Sequence, residues 1–122
     1  MFQNFALRAA PATFPFHPKN ASSDMRGKRR GVYAGLGVVP GIPDLVVFQY
    51  HGVHGDQRYC RVYALELKRA SRKGRKRTPH ELKQQACREA MERCGAVTGE
   101  AFGIDEALEW LENQGLLRGT KC

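Results

Sequence analysis

The chain has 122 residues, 42% of them hydrophobic and 26% charged, which suits one compact core and excludes a collagenous, coiled-coil or wholly disordered polymer. Lys and Arg number 20 against 12 Asp and Glu, for a net charge of +8, so the expected partner is a polyanion, with nucleic acid ahead of an anionic membrane. No apolar run reaches the length of a membrane span.

A single domain over residues 1 to 122 is expected, with 1 to 12 its least defined part. Phe2, Phe5, Ala6 and Ala9 fall on one side of a short helix that Pro11 ends. Thr13 to His17 reads as an extended piece that Pro15 confines to an edge or a strand end. Ser22, Ser23 and Asp24 offer caps for a helix to about Leu36, in which Gly27, Gly31 and Gly35 share a face. Gly37 to Pro43 is a turn, and Leu45 to Tyr50 is rich in strand formers. Tyr59 to Lys68 resumes that character, so the two runs predict a hairpin with a long tip over 51 to 58.

Ser71 to Arg77 is a basic loop. Thr78, Pro79 and Glu81 make a capping box with proline at the first helical position, and the helix should run to about Cys94, stopped by Gly95. Leu82, Ala86, Ala90, Met91 and Cys94 form its apolar stripe, with Lys83 inside the stripe. Ala96 to Phe102 predicts another strand. Asp105 or a neighbour then caps a last helix with Ile104, Leu108 and Leu111 on one face, closed by Gly115 and Leu116. The order of elements implies a small α/β or α+β domain with a mixed β-sheet flanked by helices.

Cys60, Cys87, Cys94 and Cys122 form no CxxC pair, and the opening residues lack the apolar core of a secretory signal, so a reduced, cytoplasmic or nucleoid-associated protein is expected. His51, His54 and Cys60 are spaced too loosely for zinc and predict loop histidines and a core cysteine.

Asp44, Glu66 and Lys68 stand out as charged residues at the ends of apolar strands. The two-residue period puts Glu66 and Lys68 on one face, with Leu65 and Leu67 on the other, core-facing side. A hairpin folded about Gly55 sets Asp44 across from Glu66, close enough for both carboxylates to hold one cation. Hard oxygen ligands suit Mg2+ or Mn2+, which can polarise a phosphoryl oxygen and acidify water, and Lys68 would stabilise transition-state charge. The same residues also fit a plainer description, in which Asp44 caps a turn and Glu66 and Lys68 line a solvated strand face.

The run Gly-Val-Val-Pro-Gly-Ile-Pro-Asp-Leu-Val-Val-Phe (37 to 48) and the run Ala-Leu-Glu-Leu-Lys-Arg (64 to 69) resemble two motifs of the virus-type replication and repair nuclease (VRR-NUC) family, within the PD-(D/E)xK superfamily. The resemblance extends over roughly residues 14 to 117 and includes Pro18-Lys19-Asn20 and the closing Gly115-Leu116-Leu117. It implies a small restriction-endonuclease-like core. It also implies that Asp44, Glu66 and the backbone carbonyl of Leu67 are metal ligands and that Lys68 is the catalytic lysine. The family's helix glutamine matches Gln84 by its spacing from Gly95, while Gln85 points away on the helical wheel. The family usually adds an acidic residue on an N-terminal helix, and here no Asp or Glu precedes Asp24. Glu81 is a poor replacement, being explained by its capping position.

Basic residues concentrate at Arg26, Lys28, Arg29 and Arg30, and at Arg69, Arg72, Lys73, Arg75, Lys76 and Arg77. Both groups flank the proposed metal site and suit the phosphate backbone rather than base edges. Asp105, Glu106, Glu109 and Glu112 gather on the last helix, which should face away from DNA. The expected function is a Mg2+- or Mn2+-dependent DNA endonuclease, with no organic cofactor. Homodimers acting on branched DNA are what the resemblance implies. The alternative is a non-catalytic nucleic-acid-binding module with a degenerate site, and more remotely a structural subunit of a replication or packaging assembly.

Overall fold

Strand-forming residues from Leu45 onward pair with those before Lys68 in a long antiparallel hairpin, the centre of the fold. The computed structural model describes residues 8 to 18 and 41 to 118. In chain order they form β1 (Thr13–Phe16), β2 (Leu45–His54), β3 (Gln57–Lys68), α1 (Pro79–Arg93), β4 (Val97–Phe102) and α2 (Ile104–Asn113), with a short 3-10 turn at Ala70–Arg72. The strand order is β1-β2-β3-β4. The first two pairings are antiparallel and β3 with β4 is parallel, because α1 carries the chain back to the other end of the sheet before β4 begins. The mixed sheet and the α/β class match the sequence expectation, and Pro15 lies in the edge strand β1.

The hairpin tip differs from the expected long loop. The strands continue to His54 and Gln57, joined by only Gly55 and Asp56, with Gly55 at φ +64. Glycine in the first central position permits that tight reversal. The irregular composition of 51 to 58 instead reflects a β-bulge. Tyr50 pairs with Cys60 and Val53 with Arg58, so two residues of β2 oppose one of β3, and Gly52 takes φ +97.

Alternation along the strands divides the sheet into two faces. Leu45, Val47, Tyr63, Leu65 and Ala101 pack against Ala107 and Leu111 of α2 and against Leu116 and Leu117 beyond it. Leu65, Leu111 and Leu116 are fully buried, each burial contributing about 1.5–3 kcal/mol. Gly115, at φ +72, closes α2: its N–H donates to Glu112 O and that of Leu116 to Leu111 O, both at 3.0 Å. Gly99 in β4 makes room for α2, since a Cβ there would lie 2.3 Å from Trp110 Nε1. Trp110 in turn meets Tyr63 edge to face.

Several further expectations are refined or corrected. The cap of α2 is Gly103, a neighbour of Asp105; its φ of +93 suits glycine, and no side chain caps the helix. Ile104 does not share the buried face and is 52% exposed, the inward positions being Ala107 and Leu111. Cys60 is exposed rather than in the core, and His51 and His54 belong to β2 rather than to a loop. The expected helix over 22 to 36 lies outside the described residues, as does nearly all of the expected helix over 1 to 10, of which Arg8 is helical and Ala9 bridges Leu117. Among the described residues no helix is long and apolar enough to cross a membrane.

Candidate active site

The second face of the sheet is covered by α1, and the contact is polar. Thr78 begins the helix with both halves of a capping box: its hydroxyl accepts from Glu81 N–H at 3.2 Å and its N–H donates to Glu81 Oε1 at 2.9 Å. Pro79 follows and Gly95, at φ +97, lies past the end, as the sequence pattern required. The face turned inward is the opposite of the expected apolar stripe. Glu81, Gln84 and Arg88 are buried, whereas Leu82 is 54% exposed and Lys83, Ala86, Ala90 and Cys94 are also exposed. The reason is electrostatic: β3 and β4 present Glu66, Lys68 and Glu100 to this side, and only polar helix residues can satisfy them.

Asp44 reaches the same place through the turn before β2. Leu45 pairs with Leu65, so the next positions outward, Asp44 and Glu66, oppose one another; the tip pairs His54 with Gln57, and the extra β2 residue of the bulge shifts the ladder into this register. Leu67 N–H donates to Asp44 Oδ2 at 2.9 Å, and the Asp44 carbonyl accepts from His17 Nδ1 at the end of β1. Gly41, at φ +80, lets the turn lie on the helix, since a Cβ there would come within 3.1 Å of Lys83 O.

Glu66 is the centre of the cluster and is 1% exposed. Gln84 Nε2 donates to its Oε1 at 2.8 Å, while Gln84 Oε1 accepts from Lys68 Nζ. Lys68 Nζ also lies 4.0 Å from Glu66 Oε1 and 3.7 Å from Glu81 Oε2. Burial and the neighbouring Asp44 carboxylate push the Glu66 carboxyl up to about 8. A hydrogen bond shared with Asp44 adds to that shift; once both acids are ionised Glu66 Oε2 has no donor, and Arg88 Nη1 has no acceptor, both atoms being buried. The description of Glu66 and Lys68 as a solvated strand face is thereby excluded.

Two carboxylates held together, one of them with an orphaned oxygen, fit a hard divalent cation. Among the described residues no group of three or more His, Cys, Asp or Glu side chains forms a metal cage. Mg2+ is commonly bound through one or two carboxylates with water completing the shell, so Asp44 and Glu66 suffice in kind for that ion.

Around this centre lies a ring of ion pairs that sequence reading missed. Arg88 Nη2 bonds Glu100 Oε2 at 3.2 Å, and Arg77 makes a bidentate pair with the same carboxylate at 2.8 and 2.9 Å, holding Glu100 below the usual carboxylate range. Arg72 bonds Glu81 at 2.5 Å and, with the Thr78 backbone, brings that carboxyl down to about 2. Lys73 bonds Glu106 at 2.5 Å. The recoverable signal was the spacing of Glu81, Gln84 and Arg88, three and then four residues apart, a polar stripe at helical period.

Asp44, Glu66, Leu67, Lys68 and Gln84 therefore meet at one place. Of the loop cations, Arg72, Lys73 and Arg77 are engaged by carboxylates, while Arg69, Arg75 and Lys76 are exposed. Arg26, Lys28, Arg29 and Arg30 lie outside the described residues. The acidic α2 packs on the opposite face of the sheet from Glu66, although its Glu106 reaches the basic loop. No protein-family model, no curated protein and no solved structure matches this chain.

Proposed function

We propose that the protein is a metal-dependent DNA endonuclease of the PD-(D/E)xK type, resembling the VRR-NUC family and hydrolysing phosphodiester bonds in branched DNA as a homodimer. The observation that supports this reading most directly is the meeting of Asp44, Glu66, Lys68 and Gln84 from three segments of chain around the buried Glu66 carboxyl. Mg2+ or Mn2+, held by Asp44, Glu66 and the Leu67 carbonyl, would supply Lewis acidity to a phosphoryl oxygen and acidify water.

The chain's own groups divide the remaining work. Lys68 offers its ammonium to the negative charge that develops on the phosphoryl oxygens. Gln84 fixes the orientation of both Lys68 and Glu66 through the two ends of one amide. Arg69, which directly follows Lys68, starts a basic loop suited to the phosphate backbone.

One observation favours a second reading, a nucleic-acid-binding module that does not cut. The Lys68 amine is turned inward to Gln84 and Glu81, as a structural lysine would be. Incubating a four-way DNA junction with the protein and Mg2+ or Mn2+ separates the two. Cleavage is expected, and Asp44→Ala and Lys68→Ala should each lower its rate at least ~1000-fold while salt-sensitive binding survives. Binding by the unaltered protein with no metal-dependent cutting would replace the nuclease by the binding module.

A further inference from the structure

The six cations between Lys68 and Thr78 are not equivalent. Arg72 reaches Glu81 at the start of α1, Lys73 reaches Glu106 in α2, and Arg77 grips Glu100 in β4 through both guanidinium nitrogens. These three contacts fasten one loop to three different elements. Arg72 also donates to Lys76 O at 3.0 Å and Arg75 N–H to Arg72 O at 3.1 Å, and Gly74, at φ +77, permits the reversal between them. Arg69, Arg75 and Lys76 have no carboxylate partner among the described residues, and all three are exposed.

We infer that the loop is a prefolded phosphate-contacting surface in which Arg69, Arg75 and Lys76 touch the nucleic-acid backbone, while Arg72, Lys73 and Arg77 set its shape and do not. This deepens the proposed function by naming how the substrate is held, and it rests on that reading for the identity of the polyanion. A cation adds to the salt dependence of binding by neutralising a phosphate and releasing its counterions. A guanidinium already paired with a carboxylate must first give up that partner, and a bidentate pair is the costliest to exchange. Fastening the loop in advance also lowers the entropy lost on binding. The partner is nucleic acid rather than a membrane, because Ala70 is the loop's sole aliphatic side chain and nothing in it can insert among acyl chains.

The test uses the full chain in EDTA, so that it reads binding whether or not the protein cuts. Fluorescence anisotropy of a labelled duplex and a labelled four-way junction is followed over a salt series. Arg75→Gln and Lys76→Gln should each flatten the slope of log affinity against log salt by about 0.9 on the duplex, and Arg69→Gln likewise. Lys73→Gln and Arg77→Gln remove the same charge but should leave the slope unchanged, while increasing proteolytic nicking of the loop. Lys73 is 66% exposed in its side chain, so its variant will fold even if Arg77→Gln does not. Equal flattening in all variants would mean that net charge alone matters and would overturn the division. So would unchanged slopes for Arg75→Gln and Lys76→Gln, or equally tight binding to phosphatidylserine vesicles. Failure of the nuclease reading appears separately, as intact junction when Mg2+ or Mn2+ is restored.

Discussion

Gln84 donates its side-chain amide to Glu66 Oε1 at 2.8 Å, joining α1 to the buried end of β3. The other end of that amide accepts from Lys68 Nζ, so one residue satisfies an acid and an amine at once. Gln84→Ala would leave both without that partner in a site with little access to water. A loss of about 1–3 kcal/mol is expected, measured by urea unfolding, together with a fall in cleavage rate of at least ~10-fold.

Glu66 gives the metal-free protein a distinctive pH dependence. Its folded-state pKa, about 8, lies above the ordinary value of 4.5, so the folded chain holds this proton more tightly than the unfolded chain. The resulting stabilisation is full below the ordinary value and is lost as pH rises through about 8. Glu66→Gln removes this dependence, so its Tm should gain on that of the unaltered protein as pH is raised over that range. Thermal scans in EDTA measure the gap, and adding Mg2+ to the unaltered protein should narrow it. A constant gap would show that Glu66 is ionised throughout.

Glu81 has the opposite sign. Arg72 and the Thr78 backbone bring its carboxyl to about 2, so its contribution is present above 4.5 and is lost as pH falls towards 2. Glu81→Gln can retain the capping box, which accepts Gln in that position, but loses the charge pairing with Arg72 and Lys68. Amide exchange in the first turn of α1 should therefore depend less on acid in Glu81→Gln than in the unaltered protein. Glu81→Ala should expose that turn at every pH.

Two glycines test how the layers approach one another. Gly99→Ala would force the Trp110 indole off the sheet, since the added carbon would lie 2.3 Å from its Nε1; a cost of about 1–3 kcal/mol is expected. The chain has one tryptophan, so near-UV circular dichroism reports the displacement directly. Gly41→Ala meets both a positive φ and the Lys83 carbonyl. It should lower stability by about 1 kcal/mol or more and reduce cleavage further than that loss explains, by moving Asp44 relative to Glu66.

Local rules made much of the architecture legible. Thr78 and Glu81 announced the start of α1, Gly95 and Gly115 marked helix ends, and the facing of Asp44 and Glu66 was expected from a reversal at Gly55, although the bulge at Gly52 is what sets it. What local rules missed was decided by tertiary contact. The apolar positions of α1, Leu82 and Ala86 among them, predicted the wrong buried face, because the sheet beneath the helix offers Glu66, Lys68 and Glu100 rather than an apolar floor. Arg88 and Glu100 cannot be paired from the sequence, because neither reveals its partner without the parallel pairing of β3 with β4. Gln84 was legible through the family resemblance, whereas its double hydrogen bond was not.

The bulge at Gly52 keeps Asp44 and Glu66 in phase. Each one-residue slip of β3 against β2 would swing Glu66 towards the leucines and deliver Leu65 to the arginines, undoing both layers together. By absorbing its surplus residue between Tyr50 and Val53, the hairpin confines any mismatch to its outer arm. Evolution can therefore lengthen or trim the tip around Gly55 while the alignment near Leu45 and Leu65 stays intact.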